Sequence, residues 1–204
     1  SFVDLGISGW LIGLMAFFGG LAALLLATRL RTVETRPNED PALSRGTFLV
    51  LATIAILSCA TVVTIGTSAP ILTRFMDNPG QVGPEFYNRV NLPIALLVAF
   101  LLAFVPFMTW RGEESARAVL RKAVPGLSAG FLATCVGLGL GVTTPLHANF
   151  LFLAVSALAT NLQRVVLLAR DRKLASAGGY LAHVGVGIVL VGFMASSAYD
   201  ESVK

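Results

Sequence analysis

The chain has 204 residues, of which 55% are hydrophobic and 13% charged, with a mean hydropathy of +0.79. Soluble domains carry charge on roughly a quarter of their residues, so this composition excludes one and points to an all-α, lipid-embedded helical bundle. The net charge of +4 does not mark a nucleic-acid binder, because no basic stripe carries interleaved aromatic residues.

About 20 apolar residues are needed to cross the roughly 30 Å hydrocarbon layer. Six runs meet that length: Gly6–Thr28, Thr47–Ala69, Val90–Trp110, Gly126–Leu146, Asn149–Ala169 and Gly178–Ala198. The second closes on Gly66-Thr67-Ser68-Ala69-Pro70, where proline is expected to stop the helix. The segment from Ile71 to Arg89 holds the turn markers Pro79-Gly80 and Gly83-Pro84 and reads as a long loop. Between the fourth and fifth runs the expected connection is a tight turn at Leu146–Asn149, with His147 as a solvated turn residue. Cys59 and Cys135 each sit alone in an apolar run, outside any Cys-x-x-Cys pair, and read as small packing residues. Gly13, Gly19, Gly20, Gly137, Gly139, Gly141, Gly185, Gly187 and Gly192 are candidate points of close helix contact.

Sidedness follows from the basic residues. Arg29, Arg31, Arg36 and Arg45 follow the first span; Arg111, Arg117, Arg121 and Lys122 follow the third; Arg164, Arg170, Arg172 and Lys173 end the fifth. The other side holds only Arg74, Arg89 and Lys204. The positive-inside rule makes the three basic segments cytoplasmic, so both ends of this chain and the 71–89 loop are expected on the non-cytoplasmic side. Ser1 stands where a Met would begin a chain, and Lys204 follows directly on the last apolar run. Residues 1–204 are therefore expected to form a single transmembrane domain within a longer polypeptide.

Ionisable groups inside a membrane are costly, and those present are usually functional. All 11 acidic residues fall in connecting segments or at chain ends, and His183 is the single ionisable side chain well inside a run. Five residues beyond Gly178, at 1.5 Å each, it lies roughly 7–8 Å into the layer from the basic side. A neutral imidazole there needs a partner for each ring nitrogen. Two readings meet that need: ligation of a heme iron, or a hydrogen bond across a helix interface. The small residues around it, Gly178, Gly179, Ala182, Gly185 and Gly187, permit the approach of either a flat macrocycle or another helix. His147 cannot share the same iron. The two histidines differ in depth by about 20 Å of a layer of roughly 30 Å, whereas axial nitrogens on one metal sit about 4 Å apart.

Three segments together resemble the CcmF family, the heme lyases of cytochrome c maturation. Gly66-Thr67-Ser68-Ala69-Pro70-Ile71-Leu72 is similar to the family's G-T-x-x-P-L segment. Val82-Gly83-Pro84-Glu85-Phe86-Tyr87-Asn88 resembles its V-G-P-P-[FY]-[FY]-N segment, and Gly178-Gly179-Tyr180-Leu181-Ala182-His183-Val184-Gly185-Val186 its G-G-x-[IL]-A-H-x-G-[VL] segment. The resemblance implies that His183 is one of two intramembrane histidines binding a b-type heme, heme b. It further implies a multi-pass protein of the bacterial inner membrane that attaches heme to Cys-x-x-Cys-His apocytochrome c. Heme-delivery and thiol-handling maturation proteins, and the lipid bilayer, are the other partners it implies, with the 71–89 loop on the periplasmic side. The family's Trp-rich outer segment and the two outer-face histidines flanking it are missing here, so the thioether-forming site is assigned to no residue of this chain. The alternative reading is a heme- or quinol-binding membrane anchor of a respiratory redox complex, a class that usually supplies two or more intramembrane histidines.

Overall fold

A computed structural model describes residues 8–30, 41–73, 80, 82–142 and 144–198. Among them every regular element is helical: α1 (Ser8–Arg29), α2 (Arg45–Leu72), α3 (Pro84–Phe104), α4 (Ala116–Gly139), α5 (Pro145–Arg170) and α6 (Gly178–Ala198), with short 3₁₀ turns at Val105–Phe107 and Leu174–Ser176. The chain divides into two units, Ser1–Glu39, which holds α1, and Asp40–Lys204, which holds the rest. Five helices, α2 to α6, are long and apolar enough to cross a membrane; the apolar stretch within α1, Gly13–Arg29, is shorter.

Local chemistry explains where the helices start. Ser44 and Ser115 cap α2 and α4, their hydroxyls accepting from the backbone N–H of Thr47 and Ala118. Pro84 and Pro145 open α3 and α5, at a position where no N–H is required and φ is already helical. As a result α3 begins six residues before the expected Val90, with Glu85 in its first turn, so the expected 71–89 loop is helical from Pro84. His147 lies in the first turn of α5, not in a connecting turn. The turn falls earlier, after Gly139, where Gly141 adopts φ +104°, a conformation that side-chain-bearing residues rarely take. Pro70 does not stop α2 either. The helix runs on to Leu72 and closes when the Thr73 N–H bonds the Ala69 carbonyl, because a proline in the last turn removes only one donor.

Within the Asp40–Lys204 unit, α5 is the hub, packed against α3, α4 and α6, while α2 packs on α3. Most of α2 faces outward, and its hydroxyls are satisfied internally. Thr53, Ser58, Thr61, Thr64 and Thr67 each donate to the carbonyl four residues back, which lets polar side chains sit on an apolar helix. The α4–α5 seam is built on Gly126 and Gly130. A methyl group at the first would collide with Thr160, and one at the second with Ser156 and the Phe152 carbonyl. Of the six expected contact glycines in this unit, Gly137 meets Leu151 and Gly187 meets the backbone of Leu158, whereas Gly139, Gly141, Gly185 and Gly192 have no neighbour within 4 Å. Cys135 is exposed on α4 and Cys59 half-buried on α2, so only the latter fits the packing role.

α3 and α5 are also joined by a polar contact. Pro106 has no N–H, so the Leu102 carbonyl lacks the donor that an α-helix supplies four residues on. The fully buried Asn161 fills that place, its Nδ2 donating to Leu102 at 2.9 Å and to its own Ala157 carbonyl at 2.8 Å.

Candidate functional site

The antiparallel helices gather the candidate residues at two opposite ends of the bundle. One end carries the starts of α2, α4 and α6 and the finish of α5; its charged residues are mostly arginines and lysines. His183 lies at this basic end, at the sixth position of α6. It is half-buried, on the flank of the helix face that Tyr180, Gly187 and Met194 turn inward. Gly187, one turn further on, packs on Leu158 and holds α6 close to α5. Gly179, one turn earlier, has nothing within 4 Å. The imidazole therefore stands beside open space on one flank and a close helix contact on the other.

Around it the basic end is organised by rings and guanidinium groups. The Arg45 N–H bonds the Thr109 carbonyl at 2.9 Å, tying the start of α2 to the segment bearing Trp110. The Arg45 guanidinium lies 5.2 Å from the Trp110 ring centre and 5.5 Å from that of Tyr180. Arg164 of α5 approaches the same Tyr180 ring at 5.9 Å. Cations over aromatic faces gain most where water is scarce, and Tyr180 is only 9% exposed.

The opposite end brings together two of the sequence segments singled out above. Tyr87, in the first turns of α3, lays its ring on Gly66 of α2. A Cβ at Gly66 would come within 2.7 Å of the tyrosine oxygen and 2.8 Å of the ring. Beside this contact α3, α5 and α6 enclose a cavity of about 400 Å³. Tyr87, Asn91, His147, Phe150, Phe193 and Met194 are among its lining residues. His147 is thus a cavity residue, although the sequence suggested a solvated turn. Met194 is eleven residues beyond His183, or roughly 16 Å along the helix, so the fold keeps the two histidines apart. Among the described residues no cluster of three or more His, Cys, Asp and Glu side chains is placed to hold a metal ion.

Sequence comparisons bear on what this arrangement is for. The chain is 27% identical to the cytochrome c-type biogenesis protein CycK of Bradyrhizobium diazoefficiens, over 94% of this chain and 31% of that protein. It is 30% identical to CycK of Rhizobium meliloti over 92% of this chain and 30% of the relative. With the cytochrome c-type biogenesis protein CcmF of Pseudomonas aeruginosa it shares 28% identity, over 77% and 25% of the two chains. The chain fits a partial CcmF-family protein. It spans less than a third of the length of these relatives. No family model and no solved structure matches it.

The residues at the basic end fit a heme on three observations. His183 lies at the sixth position of α6, a Cβ added at Gly179 one turn before it would meet nothing within 4 Å, and Arg164 keeps a buried Nε with no hydrogen-bond partner. Sequence reasoning found His183 because an intramembrane histidine stands out. It missed Arg45 and Arg164, which were counted only as topology markers, and it passed over Tyr180.

Proposed function

We propose that this chain is the heme-binding membrane part of a cytochrome c-type biogenesis heme lyase, with His183 as one axial ligand of a b-type heme. The observation that carries this reading is the placement of His183 in a Gly-Gly-Tyr-Leu-Ala-His segment at the basic end of α6, open on the Gly179 side. The relatives' names, all cytochrome c-type biogenesis proteins, support a role in cytochrome c maturation. When bound, the heme supplies one-electron redox chemistry, suited to keeping a second, substrate heme reduced while its thioether bonds form.

The chain's own contribution is to hold the group. α6 presents the imidazole, and Gly187 fixes the distance of α6 from α5. On this reading α1 is a sixth crossing, residues 1–204 act as one transmembrane domain, and the positive-inside rule places the basic end in the cytoplasm. The Gly66–Tyr87 contact and its cavity then lie on the periplasmic side, where apocytochrome c and the heme-delivery and thiol-handling proteins would be met. No further heme ligand and no thioether-forming residue is assigned within this chain.

The test is complementation. In bacteria lacking the full-length protein, wild type should restore covalently bound heme in c-type cytochromes, detected on denaturing gels, and His183→Ala should lose most of it. Full restoration by His183→Ala, at equal protein level, would leave the family's biogenesis role standing and remove the heme-ligand role.

A further inference from the structure

Arg45 and Arg164 are cations from different helices that converge on one buried ring, Tyr180. Among the described residues neither has a carboxylate partner; the ion pair found there joins Lys122 of α4 to Glu114, just before that helix. The Nε of Arg164 is buried and makes no hydrogen bond. A buried N–H without an acceptor is unfavourable, and the aromatic face above it offers no lone pair. The cluster therefore lacks an anion. Guanidinium groups match carboxylates in a two-pronged geometry, and Nε is one of the prongs.

Tyr180 stands three residues before His183, on the same side of α6 and roughly 4.5 Å along the axis. The missing anion would thus lie one helical turn from the imidazole, at the basic end of the span. A Cβ added at Gly179, beside Tyr180 and one turn before His183, would meet nothing within 4 Å. A macrocycle ligated through His183 and carrying acidic side chains would present them to this place.

We propose that Arg45 and Arg164 form a carboxylate cradle that binds the propionate groups of the heme held by His183, with Tyr180 fixing the two guanidinium groups. The inference rests on the heme-ligand reading above. It adds the orientation of the macrocycle: its acidic edge faces the basic end, and its apolar edge points into the bundle. A phospholipid headgroup offers similar anion chemistry. It would approach from the bilayer surface, and the phospholipid arm of the experiment below separates the two sources.

The experiment is a heme titration of the full-length protein isolated from heme-depleted cells, followed by absorbance. Iron protoporphyrin IX is compared with its dimethyl ester, in wild type, His183→Ala, Arg45→Gln, Arg164→Gln and the two Arg→Lys variants. Wild type should prefer the free acid. Each Arg→Gln change should weaken acid binding roughly tenfold, the equivalent of one charge-assisted hydrogen bond, and leave ester binding unchanged. The lysine variants, which keep the charge, should fall between and show that the loss is not misfolding. Equal binding of acid and ester by wild type, with His183→Ala still abolishing both, would overturn the cradle and leave the ligand intact. Loss of neither form in His183→Ala would overturn the underlying reading. Unchanged heme binding in the Arg→Gln variants, together with loss of copurifying anionic phospholipid, would assign the cluster to a headgroup and overturn the proposal.

Discussion

Replacing Asn161 by Leu tests how α3 is held to α5. Asn161 is fully buried, and its Nδ2 supplies the Leu102 carbonyl with the donor that Pro106 cannot provide. Removing the amide leaves that carbonyl unpaired in an apolar setting, a loss of about 1–3 kcal/mol on general grounds. Interhelical hydrogen bonds measured in membranes average about 0.6 and reach about 1.7 kcal/mol. The Asn161 Oδ1, buried without a partner, disappears in the same substitution and offsets part of the cost. The net destabilisation should be about 1 kcal/mol. A double-mutant cycle isolates the cause. Pro106→Ala gives residue 106 an N–H that can reach Leu102, so Asn161→Leu should cost less in that background, with a coupling of about 0.5–1 kcal/mol. The assay is reversible unfolding in mixed detergent and dodecyl sulfate micelles. An equal cost of Asn161→Leu in both backgrounds would refute the reasoning.

Three further outcomes follow from the packing. Gly130→Val should separate α4 from α5 at Ser156 and the Phe152 carbonyl and destabilise the bundle by about 1–3 kcal/mol, the usual cost of overpacking; Gly139→Val, with nothing within 4 Å, should cost far less in the same unfolding assay. Gly66→Ala should push the Tyr87 ring off α2, read as faster amide exchange over the first turns of α3 than in wild type. Ser44→Ala should lose the cap at the start of α2, costing about 0.5–2 kcal/mol, and loosen Arg45 beside it, read as increased amide exchange over the first turn.

The helices were largely legible because length and apolarity are properties of single segments. Their boundaries were less so. The expectation for α3 was anchored on the first uninterrupted apolar residue, Val90, whereas the helix starts where Gly83 and Pro84 supply entry geometry. Weighting Pro84 and Pro145 as first-turn residues, not loop markers, would have recovered both starts and moved His147 into α5. The seams were harder to see. Gly126 and Gly130 carry the α4–α5 contact, yet the sequence gives no partner for either until Ser156 and Thr160 are brought opposite. Asn161 carries no charge to mark it, and its importance depends on a proline 55 residues away in sequence. His183 was legible as the one ionisable group well inside an apolar run. The arginines around Tyr180 were not, since they meet across three helices and a loop.

His183 is the proposed heme ligand. The most direct measurement is the reduced-minus-oxidised absorption spectrum of the purified full-length protein, wild type beside His183→Ala. A b-type signal in wild type that vanishes or shifts in the variant is the expected result; an identical heme spectrum in both, or no heme in wild type, would contradict it.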